Sequence, residues 1–129
     1  MPRVEISSDV LDFIGRRIDS VPHLEALLLL WEKPALAWTD EEISRRVYVS
    51  HEKARLMLQD LARHGFIVAA VEGPATYRYE SGWDEAQIMH RVAASYRQNL
   101  VRVSNLIHSK AASEAVQEFA RAFNFTHKD

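Results

Sequence analysis

The sequence predicts a mainly α-helical fold with a small β-hairpin, extended towards its C-terminal end by further helix. Two observations carry this. Apolar residues recur at helical spacing from Val10 to Leu61 and again from Ile88 to Phe123, and most of these runs open on a capping residue. Between them the pattern changes. Phe66 to Val71 is apolar and rich in branched residues, Glu72-Gly73-Pro74-Ala75 reads as a turn, and Thr76 to Glu80 alternates, which together read as a hairpin.

The first helix is expected over Ser8 to Ile18, with Ser8 as N-cap, Asp9 in the first turn, and Val10, Leu11, Ile14 and Ile18 on one face. Ser20 caps a second helix, with Pro22 tolerated in its first turn. Leu24, Leu27, Leu28, Leu30 and Trp31 make that helix apolar on most sides, which suits a central position, and Pro34 ends it. Thr39 and Glu42 then form a capping box for a short helix, about Asp40 to Val47, with Ile43 and Val47 facing inward. After a turn at Tyr48 and Val49, Ser50 caps a helix whose buried stripe is Ala54, Met57, Leu58 and Leu61. Gly65 stands where a left-handed C-terminal cap is wanted. In the hairpin that follows, Tyr77 and Tyr79 share one face and Arg78 takes the other.

From Asp84 to about Lys110 the helical period runs on, through Ile88, Val92, Tyr96, Leu100, Val103 and Ile107. Ser113 caps a last helix carrying Val116, Phe119, Ala120 and Phe123. The expected division is residues 1–83 as one unit and 84–129 as a helical extension.

A short capped helix, a tight turn, a longer capped helix ending in glycine, and then a hairpin is the order of a winged helix-turn-helix. The segment WTDEEISRRVYVSHEKARLMLQDLARHGFI resembles the helix-turn-helix of MarR-like and related winged-helix transcription regulators. The residues that carry the likeness are Thr39, Ile43, Val49-Ser50, Leu58, Leu61, Gly65, Phe66 and Ile67. The resemblance covers roughly Leu24 to Tyr79 and implies a DNA-binding regulator whose second helix enters the major groove, about 12 Å wide. His51, Lys53, Arg55, Gln59 and Arg63 then become candidates for base or phosphate contact, Arg45 and Arg46 for the DNA backbone, and Arg78 for the wing.

Charge pulls the other way. The net charge is −2, and Asp40, Glu41, Glu42, Glu52 and Asp60 offset the basic residues of this window. A nucleic-acid binder is usually more basic. The competing expectation is a solvated, charge-balanced helix face on a winged-helix module that binds a protein partner. The long helix also has two readings: its stripe of Ile88, Val92, Tyr96, Leu100, Val103 and Ile107 suits a homodimer seam, or packing against Val10, Ile14 and Ile18 of the same chain.

Other chemistries find little in the sequence. There is no cysteine, hence no disulfide, thiolate zinc site or cysteine nucleophile. The six histidines include no His-Glu-x-x-His motif and no pair four residues apart, so no metal or other cofactor is expected. Ser8, Ser20, Ser50 and Ser113 read as helix caps rather than nucleophiles, so no enzyme is expected. Trp31, Trp38, Trp83, Phe119 and Phe123 could line an effector pocket, although aromatics at helical spacing more often pack in a core. The stretch MPRVEISSDVLDF has no signal-like apolar run, and Ala26 to Trp31 is too short to span a bilayer. The expectation is a cytoplasmic protein without membrane contact, with double-stranded DNA and a second copy of itself as partners.

Overall fold

The computed structural model describes residues 6–109, so the expected helix after Ser113, with Phe119 and Phe123, lies outside the described residues. The described part is mainly helical with a small antiparallel sheet. The elements run α1 (Ser8–Arg17), α2 (Val21–Glu32), β1 (Trp38–Thr39), α3 (Asp40–Val47), α4 (His51–Arg63), β2 (Ile67–Ala69), β3 (Thr76–Tyr79), a 3-10 turn (Ser81–Trp83) and α5 (Ile88–Gln98). Residues 100–109 are again helical. Among these, no helix is long and apolar enough to cross a membrane.

Local chemistry explains most helix ends. Ser20 Oγ accepts from the His23 amide at 3.3 Å, with Pro22 in the first turn. Thr39 and Glu42 close their capping box, the threonine hydroxyl taking the Glu42 amide at 3.1 Å and the glutamate taking the Thr39 amide at 3.0 Å. These hydrogen bonds from Thr39 hold the Glu42 carboxyl below its ordinary range. Ser50 caps α4 through the Lys53 amide at 3.1 Å.

α4 ends in a Schellman motif: the Phe66 amide reaches Leu61 carbonyl at 3.1 Å, and the Gly65 amide reaches Ala62 carbonyl at 3.0 Å. Gly65 sits at φ +83°, and a Cβ built there meets nothing within 4 Å. The cost of a side chain at this position is therefore in the backbone, not in packing. Gly65→Val is expected to lower stability by about 1–2 kcal/mol. Gly65→Asn, which tolerates the left-handed region, should cost less. An unchanged melting temperature for the valine variant would show that the chain can leave α4 by another route.

β3 is the central strand, in the order β1-β3-β2, both pairings antiparallel. Trp38 lies opposite Tyr77, and Ile67 opposite Tyr79. Tyr77 and Tyr79 face inward and Arg78 outward, as the alternation requires. The core gathers the inner faces of all these elements, including Val10, Ile14, Leu24, Leu27, Ile43, Leu58, Phe66 and Val92. Phe66 is its aromatic centre, with Trp83 at 4.7 Å and Phe13 at 5.6 Å between ring centroids.

The structure corrects the sequence reading in several places. The N-cap of α1 is Ser7, one residue early, and Ile18 lies just past the helix. Strand β1 was not anticipated. The hairpin strands are shorter and the connection longer than expected: the Ala70 amide donates to Thr76 carbonyl at 2.9 Å, and Val71, expected within a strand, is 98% exposed. The long helix begins at Ile88 rather than Asp84, because the Asp84 carboxylate accepts the Ile88 and Met89 amides at 2.7 and 3.0 Å and so caps the helix from outside. It also breaks at Asn99, which leaves helical geometry (φ −134°, ψ 47°) while its carbonyl accepts the Val103 amide at 2.9 Å and opens the next helix.

This break divides the apolar stripe. Val92, Val103 and Ile107 are buried in the chain's own core, Ile88 and Tyr96 partly so, and Leu100 is exposed. α5 packs on α1 and α2, with Arg91 paired to Asp9 and Arg97 to Glu32.

Candidate nucleic-acid interface

α4 is held from behind and open in front. Ala54, Met57, Leu58 and Leu61 are buried, and Ile43 and Val47 of α3 are buried behind them. The opposite side of α4 presents His51, Glu52, Lys53, Arg55, Leu56, Gln59 and Arg63 to solvent. Arg45 and Arg46 are exposed in the last turn of α3, and Arg78 is exposed on the outward face of β3. Every residue singled out for DNA contact is therefore on the surface, with those of α4 sharing one helix.

Their charges are largely matched locally. Arg45 Nη2 lies 2.6 Å from Glu41 Oε1 and Arg55 Nη2 lies 3.7 Å from Glu52 Oε1, while His51 Nε2 is within hydrogen-bond distance of Asp40 Oδ1, at 2.6 Å. Arg63 pairs with Asp60, and the Arg46 guanidinium sits 5.6 Å from the centroid of the Trp38 ring. Arg78 has no ion pair among the described residues. Exposed ion pairs of this kind are worth about 0–1 kcal/mol, so a phosphate can displace the acid without large cost.

The turn between α3 and α4 has a feature the sequence did not announce. Tyr48 adopts a left-handed backbone (φ 59°, ψ 47°) and is 93% exposed. A bulky residue in that region costs of order 1–3 kcal/mol. With the half-exposed Leu56, it puts apolar surface beside the charged face.

Sequence reasoning also missed a polar cluster behind α4. His23, in the first turn of α2, is 6% exposed. Its Nδ1 lies 2.5 Å from Ser20 Oγ and its Nε2 lies 3.0 Å from Asp60 Oδ2. Burial pushes the imidazole below its ordinary range; the nearby Asp19 opposes this and Lys53 assists it. The ring therefore bonds to Asp60 as neutral imidazole, and the contact is a hydrogen bond rather than a full ion pair. Asp19 belongs to the same cluster. A serine, a histidine and an acid thus meet here, with Ser20 Oγ engaged as the α2 cap, as its place in the sequence predicts. The legible signal was the four-residue spacing of Asp19 and His23, which a search for histidine pairs passes over.

The tryptophans do not gather round one pocket. Trp83 stacks with Phe13 and meets Phe66 at a tilt, Trp38 is buried in the sheet, and Trp31 meets His90 edge-on. A cavity of about 260 Å³ instead lies among α2, α3 and α5, bordered by Leu28, Glu32, Arg46, Tyr96 and Arg97.

Compared with protein-family models, curated proteins and solved structures, the chain matches none.

Proposed function

We propose that the chain is a homodimeric, sequence-specific DNA-binding transcription regulator of winged helix-turn-helix type, with no catalytic role. One observation carries the reading: the order α2, β1, α3, tight turn, α4, then a hairpin whose inner strand also pairs with β1. That is the order of a winged helix, in which the second helix of the pair lies in the major groove. The face of α4 turned away from the core offers Lys53, Arg55 and Gln59, side chains able to bond base edges or phosphates. Arg45, Arg46 and Arg78 flank it as backbone contacts.

The test is a binding titration of the full chain with genomic DNA fragments at two salt concentrations. Retardation at low salt, falling steeply as salt rises, is the expected result. A folded sample that retards no fragment even at low salt would overturn it. That outcome would favour the second reading, a protein-interaction module, for which exposed Tyr48 and Leu56 and the offset charges speak.

The dimer part of the proposal rests on a smaller surface than the whole stripe. Around the break after α5, Leu100 and Val101, 52% and 71% exposed, are apolar side chains of the described residues that a second copy could cover. Leu100→Glu is expected to give monomers in sedimentation with unchanged helical content. Wild-type protein that is already monomeric at tens of micromolar would sink the dimer.

A further inference from the structure

The cluster of Asp19, His23 and Asp60 has the makings of a metal site. One ligand-capable atom from each residue lies within 4.8 Å of the others. The donor set is one imidazole nitrogen and two carboxylates, which suits a borderline divalent transition ion such as Zn²⁺ better than a hard cation that takes oxygen alone. The spacing also fits. Two donors each about 2.0–2.2 Å from a shared tetrahedral ion sit roughly 3.3–3.6 Å apart; His23 Nε2 and Asp60 Oδ2, at 3.0 Å, need part only slightly, and the exposed Asp19 carboxylate has to swing in to complete the set.

The support behind the ring is already in place. Metal-binding histidines as a rule use their second ring nitrogen to donate to an oxygen, which fixes ring orientation and tautomer. Ser20 Oγ stands 2.5 Å from His23 Nδ1 for that purpose. The ring itself is buried and held within the first turn of α2, so its direction is set before any ion arrives. Formal charge balances as well, two carboxylates and a neutral imidazole against a divalent cation.

Two cations oppose an ion here: Arg63, paired to Asp60, and Lys53, close enough to act on His23. The Arg63 side chain is 76% exposed and can swing into solvent when an ion takes Asp60.

We propose that Asp19, His23 and Asp60 form a site for a divalent transition-metal ion, Zn²⁺ fitting best, which ties the start of α2 to α4. When the ion binds, the ring proton moves from Nε2 to Nδ1, where Ser20 Oγ accepts it, and Nε2 gives its lone pair to the metal. No net proton is released. The assignment of this site does not rest on the proposed DNA binding, although Arg63 and Lys53 belong to both surfaces.

The test is calorimetric titration of the full chain with ZnCl₂, and with MgCl₂ in parallel, joined to thermal melting with and without Zn²⁺. Wild type is expected to take up one Zn²⁺ per chain, to ignore Mg²⁺ at the same concentration, and to melt higher with Zn²⁺. Asp19→Asn changes an exposed side chain and keeps the fold, and it is expected to weaken Zn²⁺ binding by about tenfold or more and to lose the rise in melting temperature. Asp60→Asn and His23→Gln are expected to do the same. A wild type that gives no Zn²⁺ heat would overturn the site. Binding that survives Asp19→Asn and His23→Gln unchanged would also overturn it, placing the ion elsewhere, for instance at His51 and Asp40.

Discussion

Phe66→Ala is expected to lower stability by about 3–5 kcal/mol. The ring is fully buried at the point where α4 turns into the sheet. It touches Phe13, His64 and Trp83, and the Arg17 guanidinium lies 4.6 Å from its centroid. Truncation removes the apolar area and leaves a hole that these neighbours cannot close, because α1, α4 and the 3-10 turn are each pinned by other contacts. Arg17 also bonds His64 carbonyl at 3.0 Å, so α1 is tied to the end of α4 through polar as well as apolar contact. Small domains are stable by only about 5–15 kcal/mol, so the loss is a large share of the total. Chemical denaturation should show the midpoint falling with little change in slope. Phe66→Leu, which keeps most of the volume, should cost less than half as much. If Phe66→Ala stays within about 1 kcal/mol of wild type, the aromatic cluster is not what joins α1 to α4.

Arg55→Ala is expected to weaken binding to a preferred DNA site by about 1–3 kcal/mol, roughly 5- to 150-fold in Kd. Arg55 lies in the second turn of α4 on its solvent face, where a recognition helix meets base edges. Its partner Glu52 is 3.7 Å away and itself 77% exposed, a pair weak enough to exchange for a guanine edge or a phosphate. If Arg55 reads a base, the loss is larger for the preferred site than for random DNA. Arg45→Ala should behave differently, weakening all sequences alike and reducing the salt slope by about one. Glu52→Gln should raise non-specific affinity by removing a charge that repels phosphate. Fluorescence anisotropy with specific and random duplexes separates these cases. Equal Kd for wild type and Arg55→Ala on both duplexes would remove α4 from the interface.

What was legible in the sequence was set by neighbours in the chain. Ser20, Thr39, Ser50 and Gly65 act through hydrogen bonds to groups a few residues away, or through their own backbone angle, so their positions alone placed α2, α3 and α4. The alternation of Tyr77, Arg78 and Tyr79 likewise assigned the faces of β3. The solvent face of α4, and with it the candidate DNA contacts, followed from the buried stripe on its other side.

Only the tertiary structure decided the rest, for reasons of distance along the chain. β1 is two residues long and exists because Trp38 and Thr39 find Tyr77 and Thr76. Periodicity marked the stripe from Ile88 to Ile107 as apolar without saying what covers it. The break at Asn99 and the burial of Val92, Val103 and Ile107 assign part of it to the chain's own core. The cluster at His23 depends on Asp60, 37 residues away, arriving beside a ring that Ser20 already orients. A short-range code places caps and faces; which faces meet is settled when long-range burial outweighs the entropy of bringing distant segments together.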